Sequence, residues 1–374
     1  MLSAPAITPQ RPTASASATQ SITAARVHRH EQLLAGRRAG SSMSFMPTDR
    51  ARPRRARPAP GGGHKFSHLR PHLWAAGRAG DRGEGSHGHE HAMGIAIAVM
   101  NAKGGVGKST LVLALAETLA NEHGRRVLVI DGDAQASVSH MLVHQPLLES
   151  VQDRRRTLVD YLIAAVLREQ PVVWRDFAIA GVSDVDDARS IDLLPSDTHA
   201  TLFEREVSKG DREVALRRTV GSLLADARAR YDFVLVDCAP GLSVLTESFL
   251  READYYLSPT RPDYISARGL AFLREFRQRD PHMAFAQCLG VVINMKDGQS
   301  PHDAEYERRL RAQGEHHCFR QALLRSTPLQ TAARFASPQR SYWAKYPGQT
   351  GDSLRQLAAE LLARVASLGA VAAR

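Results

Sequence analysis

The sequence predicts a doubly wound α/β fold, a mainly parallel sheet flanked by helices. Three observations predict it. Short apolar runs of strand length alternate with helix-period segments from residue 94 onward. The first run, 94–100 (GIAIAVM), leads through a glycine-rich loop and a helical segment to a second apolar run, and such a βαβ unit requires parallel strands. Several further runs end beside Asp, Asn or Pro, at the strand edge where open α/β sheets gather functional groups.

The elements follow in order. The run at 94–100 is a buried strand by length and flanks. An apolar-periodic segment from Ser109 to about Asn121 is a helix closed by Gly124, and 126–130 (RVLVI) is the second strand. Further strands are expected at 191–194 before Pro195, 233–236 before Asp237, 255–257 before Pro259, and 289–293 before Asn294. Helical patterns lie near 157–168, 211–230, 243–252 and 265–278. The last helix places Leu354, Leu357, Leu361, Leu362, Val365 and Leu368 on one stripe, which reads as core packing. No internal repeat is visible.

The chain has 374 residues, 43% of them hydrophobic, with no uninterrupted apolar run of about 18 residues, so no membrane span is expected. The three cysteines, Cys238, Cys288 and Cys318, are scattered without CxxC pairing, so neither a cysteine zinc site nor a disulfide framework is indicated, and a reducing cytoplasm is the natural reading. The net charge of +10 invites a nucleic-acid reading, but its location decides the matter. Residues 1–92 hold 14 basic and 5 acidic side chains, leaving 35 against 34 in 93–374. Within the latter, 301–374 is mildly basic, with 11 against 6. Arg320, Arg325, Arg334, Arg340 and Lys345 supply part of that charge, either as a solvated face or as a polyanion contact.

Residues 1–92 are rich in Ala, Arg, Pro, Ser, Gly and His and show no sustained periodicity, so they are expected to be a disordered basic extension. One reading makes them an arm that touches DNA or acidic partners. The other makes them upstream sequence read from a misassigned start, and Met93, directly before the first strand, favours it. A transit peptide would need an amphipathic helix that the segment lacks. His87, His89 and His91 form a tract of a kind that binds metal, but in an unfolded segment they are not assigned a site. The folded domain is expected over 93–374.

Three motifs carry chemistry. Lys103-Gly104-Gly105-Val106-Gly107-Lys108-Ser109-Thr110 joins strand to helix. Its glycines let successive N–H groups turn inward on phosphate oxygens, and the helix N-terminus adds its dipole. Lys108 is placed to reach the β- and γ-phosphates, and the Ser109 hydroxyl to ligate Mg²⁺. Asp131-Gly132-Asp133-Ala134-Gln135 ends the second strand with two carboxylates beside that loop. In 231–240 (YDFVLVDCAP) four buried residues lead to Asp237, an acid at a strand end that would hold a water on Mg²⁺.

Together these motifs resemble the ParA/MinD family of P-loop ATPases with a deviant Walker A loop, over roughly 94–365. The loop matches KGGxGK[ST], and the later motifs match DxDPQ, except that Ala134 replaces the proline, and YDhhhhDxxP. The resemblance implies that Lys103 crosses a dimer interface to phosphates held by the other subunit. It implies that Asp133 positions the attacking water, that Asp131 faces Mg²⁺ or ties down the loop, and that Asn294 reads adenine through its amide. It further implies ATP and Mg²⁺ as ligands, a homodimer in the ATP state, slow hydrolysis stimulated by a ParB-like protein, nonspecific DNA binding, and a cytoplasmic, nucleoid-associated location. A MinD-like division regulator would need a terminal membrane anchor with Lys and bulky aromatics, which this chain's last helix lacks. A nucleotide-gated switch for a division, biosynthetic or secretion complex is the alternative function. An iron protein of the same superfamily is excluded because no cysteine pair is placed to bridge a cluster.

Overall fold

The computed structural model describes residues 93–279 and 284–372. The extension expected over 1–92, with its histidine tract, lies outside them. Six strands among the described residues form one sheet: β1 (Ile95–Val99), β2 (Val127–Gly132), β3 (Ile191–Leu194), β4 (Phe233–Cys238), β5 (Tyr255–Thr260) and β6 (Gln287–Ile293). Their order is β3-β2-β4-β1-β5-β6, and every pairing is parallel.

The sheet is covered on both faces, which is why its strands read as continuous apolar runs rather than alternating ones. Ile97 and Val99 of β1 pack into one core, while Ala96, Ala98 and the adjoining Met100 pack into the other. The first core takes α1 (Lys108–His123), α2 (Ser137–Leu142) and α3 (Gln145–Asp153). The second takes α4 (Leu158–Leu162), α5 (Ala200–Lys209), α6 (Glu213–Arg228) and α7 (Val244–Glu252). Beyond β5 the chain forms α8 (Tyr264–Arg279), and after β6 come α9 (Pro301–Ala312), α10 (Thr327–Ala332), α11 (Tyr342–Lys345) and α12 (Gln349–Ala372). The expected stripe of α12 is core: Leu354, Leu357, Leu361 and Val365 are buried against α1's side of the sheet.

The structure departs from expectation in two ways. The segment expected as one helix near 157–168 is α4 followed by a π-helical turn over Ile163–Leu167. Several helices were also not expected: α2 and α5 bury only short stripes, Val138 and Leu142 in one and Ala200, Phe203 and Val207 in the other, and α9 has almost none. In α9 only Leu310 is buried; a Ser300 cap and the i,i+4 pairs Glu305–Arg309 and Glu307–Arg311 hold it instead.

The basic C-terminal surface needs a correction. Arg320, Arg325 and Arg334 are exposed, but Lys345 is fully buried and Arg340 is half-buried against Asp184, 2.9 Å away. Lys345 donates to Glu117 of α1 at 2.7 Å and to Asp184. Glu117 also accepts from the Ser183 and Tyr346 hydroxyls, each at 2.6 Å, and Asp184 accepts from the Ala336 N–H at 2.9 Å. Two buried carboxylates therefore meet two cations, with their remaining lone pairs occupied, as a buried ionic cluster requires. Burial and the facing Glu117 carboxylate hold the Tyr346 hydroxyl well above its ordinary range, so it stays a donor. Removing Lys345 leaves two buried carboxylates short of a cation. Lys345→Ala should therefore lower the unfolding free energy by about 3–5 kcal/mol in a urea titration; a loss below about 1 kcal/mol would mean that the cluster is not a closed, dry network.

Candidate functional site

The glycine loop begins where β1 ends. Asn101 fixes its first shoulder: the Nδ2 amide donates to the Pro259 carbonyl at 2.8 Å, and Oδ1 accepts from the Lys103 N–H at 2.9 Å. The Ser258 hydroxyl pins the Met100 carbonyl from β5 at 2.7 Å. Gly105 and Gly107 adopt φ of +74° and +86°, a region that L side chains rarely enter. Gly107 is constrained twice, since a Cβ there would stand 2.4 Å from the Asn294 amide nitrogen. The loop runs into α1 with no side-chain cap, so first-turn N–H groups remain for an anion.

Side-chain exposure separates two lysines of one loop. Lys103, Gly104 and Gly105 are exposed, whereas Val106 and Lys108 are buried and Ser109 and Thr110 are half-buried. Among the described residues the Lys103 side chain has no ion-pair partner.

The β2–β4 register sets Asp131 directly across from Asp237, so two buried carboxyls lie side by side at the carboxyl edge of the sheet. Asp131 is well bonded: it accepts from the Ser139 N–H at 3.0 Å, the Ser139 hydroxyl at 2.6 Å and the Asp133 N–H at 3.1 Å. Even so, burial pushes its carboxyl up to about 6. These bonds join the end of β2 to the loop at Asp133 and to α2 at Ser139. Asp133 is half-buried at the mouth, and one of its oxygens accepts from the Gln135 N–H at 2.9 Å. Its own carbonyl accepts from the Ala136 N–H at 2.9 Å. These bonds stiffen the loop in which Ala134 stands where the motif has proline.

Asp237 is the opposite case. Both carboxylate oxygens are buried and neither accepts a well-formed hydrogen bond. Burial and then the Asp131 charge drive its carboxyl well above the usual range, while the Ser109 hydroxyl and the Lys108 ammonium favour its ionised form. Buried oxygens without partners need an explanation, and an ion is one of the few available. Orphaned carboxylate oxygens beside a serine hydroxyl form the hard oxygen donor set that suits Mg²⁺.

Asn294 is brought to the same loop, but its amide is committed to the protein. Nδ2 donates to the Val106 carbonyl at 2.9 Å and Oδ1 accepts from the Met295 N–H at 2.9 Å, so in this structure it braces the loop. Two polar residues of the site were missed from sequence. Asn101 left only the signal of an amide directly before the glycine run. Glu204 of α5 left none. It is bonded by the Ser243 hydroxyl, and burial, together with the nearby Asp133 charge, raises its carboxyl above the ordinary range.

Comparison with known proteins places the chain among related families and folds. A family model described as an AAA domain matches residues 94–280, half of the chain. An uncharacterised protein of Mycobacterium tuberculosis is 32% identical over 59% of this chain, and the match spans 64% of that relative's length. A ParA family protein of Chlamydia pneumoniae is 32% identical over 53% of this chain and 71% of its own. The chromosome partitioning protein ParA of Caulobacter vibrioides is 29% identical over 72% of this chain and 94% of its own. Among solved structures, apo McdA of Cyanothece superimposes with a TM-score of 0.57 at 18% identity, covering 72% of this chain and 99% of its own. That last likeness bears on fold alone. The motifs, the loop geometry and these matches converge: the chain belongs to the ParA/MinD family of deviant Walker A P-loop proteins.

Proposed function

We propose that this chain is an ATPase that dimerises around Mg²⁺·ATP, hydrolyses it slowly until a partner stimulates it, and thereby positions DNA or other cargo. One observation carries the reading: the orphaned Asp237 carboxylate lies beside Lys108 and Ser109, beneath a loop whose Lys103 is exposed and unpaired among the described residues. The partitioning proteins among its relatives support the choice of cargo. Among the described residues no helix is long and apolar enough to cross a membrane.

Phosphoryl transfer needs positioning and charge neutralisation more than covalent help. The amides of 104–109 and the Lys108 ammonium hold the phosphates. Ser109 and Asp237 would hold Mg²⁺, which when bound neutralises phosphate oxygens. Lys103 reaches a partner's phosphates, offsetting the repulsion of two anionic ligands that face each other across a two-fold axis. Asp133 accepts a hydrogen bond from the attacking water and aligns it. A pair of variants separates these roles by nucleotide titration, light scattering and single-turnover hydrolysis. Asp133→Ala should keep ATP affinity and the dimer but slow hydrolysis by about 100-fold. Lys103→Gln should keep measurable ATP binding and lose the dimer. Wild-type hydrolysis in the first variant, or a normal dimer in the second, would overturn the assigned role.

Asp237 predicts a conflict between stability and ligand binding. Its carboxyl is harder to ionise folded than unfolded, so ionisation opposes folding increasingly as pH rises above the unfolded pKa of about 4. Nucleotide-free Asp237→Asn should therefore melt above wild type at pH 8, and the gain should shrink as the pH falls towards 5, while Mg²⁺-dependent nucleotide binding is lost. A variant melting below wild type at pH 8 would show that the carboxylate is compensated in the empty site.

Nonspecific DNA binding falls to the exposed Arg320, Arg325 and Arg334, since Lys345 and Arg340 are engaged in the buried cluster. Affinity of the ATP state for DNA should fall steeply with salt and ignore sequence. Arg325→Glu with Arg334→Glu should weaken it about 10-fold or more, flatten the salt slope, and leave ATP hydrolysis without DNA unchanged. Sequence-selective binding, or an unchanged affinity, would count against this surface.

A further inference from the structure

A cavity lies beneath α8, apart from the glycine loop. It measures about 660 Å³ and is bounded by β5, the edge strand β6, α8 and the turn over Gly314–His316. The glycine loop occupies the carboxyl edge of the sheet, whereas Tyr256, Gln287 and Cys288 place this cavity at the amino-terminal halves of β5 and β6. Its size is that of a small-molecule site and well beyond a packing defect.

Three departures from regular backbone converge on its wall. The β5–β6 register slips between the pairs Tyr256–Cys288 and Leu257–Gly290, so Leu289 is an extra residue in β6. Gly290 takes a φ of +142°, and a Cβ there would stand 2.4 Å from both the His317 carbonyl oxygen and the Arg364 guanidinium. His317 itself takes a φ of +45°, a costly conformation for a residue with a side chain. Arg364 of α12 fixes all three. Its guanidinium donates to the carbonyls of Leu289 at 3.0 Å, His317 at 2.5 Å and Cys318 at 2.8 Å, and lies 3.9 Å over the Phe319 ring. The turn that brings Glu315, His316 and His317 to the cavity is thus braced from behind, and bulges and strained residues of this kind gather beside binding sites.

The lining is two-sided. Leu270, Leu273, Phe285 and Val291 supply an apolar wall, in which the Phe285 ring stacks on Phe276 with centroids 6.2 Å apart and planes 15° from parallel. Opposite them Arg274 supplies a permanent positive charge, and Gln278 and Gln287 add amide donors. Burial, then the Arg274 charge and His317, hold the His316 imidazole below its ordinary range, so it is neutral at pH 7. Arg274 is paired with Glu315, but the two side chains are 45% and 51% exposed. An exposed pair contributes little, so the guanidinium can exchange Glu315 for the acid group of a ligand. We infer that this cavity binds a small planar organic anion, its apolar body against Phe285, Leu270 and Leu273 and its acid group on Arg274. The reading does not depend on what the chain does with ATP.

The test titrates the full chain, with Mg²⁺ and excess non-hydrolysable ATP analogue present, with two fluorescent probes. One is anilinonaphthalene sulfonate, a planar anion; the other is phenylnaphthylamine, the same body without the charge. The sulfonate should saturate one site per chain and bind more tightly than the uncharged probe. Arg274→Met should weaken the sulfonate about 10-fold, the scale of one charge-assisted hydrogen bond, and leave the uncharged probe unchanged. Glu315→Gln, which releases Arg274, should tighten the sulfonate. Gln287→Trp, at an exposed position on the rim, should exclude both probes while the melting temperature stays at the wild-type value. Backbone hydrogen exchange across 315–318 should slow when the sulfonate is added. A chain that binds neither probe would overturn the inference. Sulfonate binding that survives both Arg274→Met and Gln287→Trp would also overturn it, by placing the dye on an exposed surface. Equal affinity for the two probes would overturn the assignment of an anion.

Discussion

Asp237 lies near the carboxyl end of the central strand β4 with both carboxylate oxygens buried and without a well-formed hydrogen bond, across the ladder from a second buried carboxyl, Asp131. In a dry interior such a pair opposes folding, and the surrounding structure is arranged to make it tolerable. Asp131 is satisfied by Ser139 and by the Asp133 N–H, which leaves Asp237 as the unsatisfied partner. Lys108 and the Ser109 hydroxyl, supplied by the start of α1, are the groups that favour its charge. The parallel register that makes β2, β4 and β1 neighbours thus brings two acids, a cation and a hydroxyl to one point, although they come from three separate motifs. Strain of this kind is characteristic of sites that bind ions, because the ligand supplies what the empty protein lacks.

The fold and the three nucleotide motifs were legible because each has a local cause. Buried parallel strands must be apolar on both faces, so the runs at 95–99, 127–130 and 233–236 stand out wherever they occur. A phosphate loop needs positive φ at particular positions, so its glycines are spaced by backbone geometry. What escaped depends on contacts far apart in sequence. Glu204 reaches the Ser243 hydroxyl from another helix, and nothing in its neighbourhood announces that it lies near Asp133. Asn294 was visible as an amide at a strand end, yet only the fold shows that its Nδ2 holds the Val106 carbonyl 188 residues away in the chain. Polar helices such as α9 were invisible for the converse reason, being held by caps and surface pairs that leave no periodicity.

Charge was the least reliable guide, for a physical reason. Counting Lys and Arg assumes that they are solvated, and Lys345 and Arg340 are not: they meet Glu117 and Asp184 in the interior. Such residues add to a net charge without contributing to the field outside. The acids that neutralise them, Glu117 and Asp184, lie outside 301–374, so setting Lys345 and Arg340 aside lowers the balance of that segment from 11 against 6 to 9 against 6. A polyanion would encounter Arg320, Arg325 and Arg334, and the remainder of the apparent basic cluster is architecture.

That architecture connects the site to the rest of the molecule through one helix. The first residue of α1 is Lys108, and two and a half turns later Glu117 of the same helix accepts Lys345, Tyr346 and Ser183. Thr118 adds a bond to the Tyr342 hydroxyl at 2.9 Å. A helix is stiff along its axis, so fixing its middle by a satisfied ionic cluster also fixes where its first turn points. The first-turn amides and Lys108 are thereby held by the C-terminal segment 336–346 as well as by the glycine loop and its braces, Asn101 and Asn294. Preorganisation of this kind removes the need to order the first turn when the anion arrives, so more of the interaction appears as binding. It also explains why the C-terminal elements, which contribute nothing to the three motifs, belong to the same folded unit as the site.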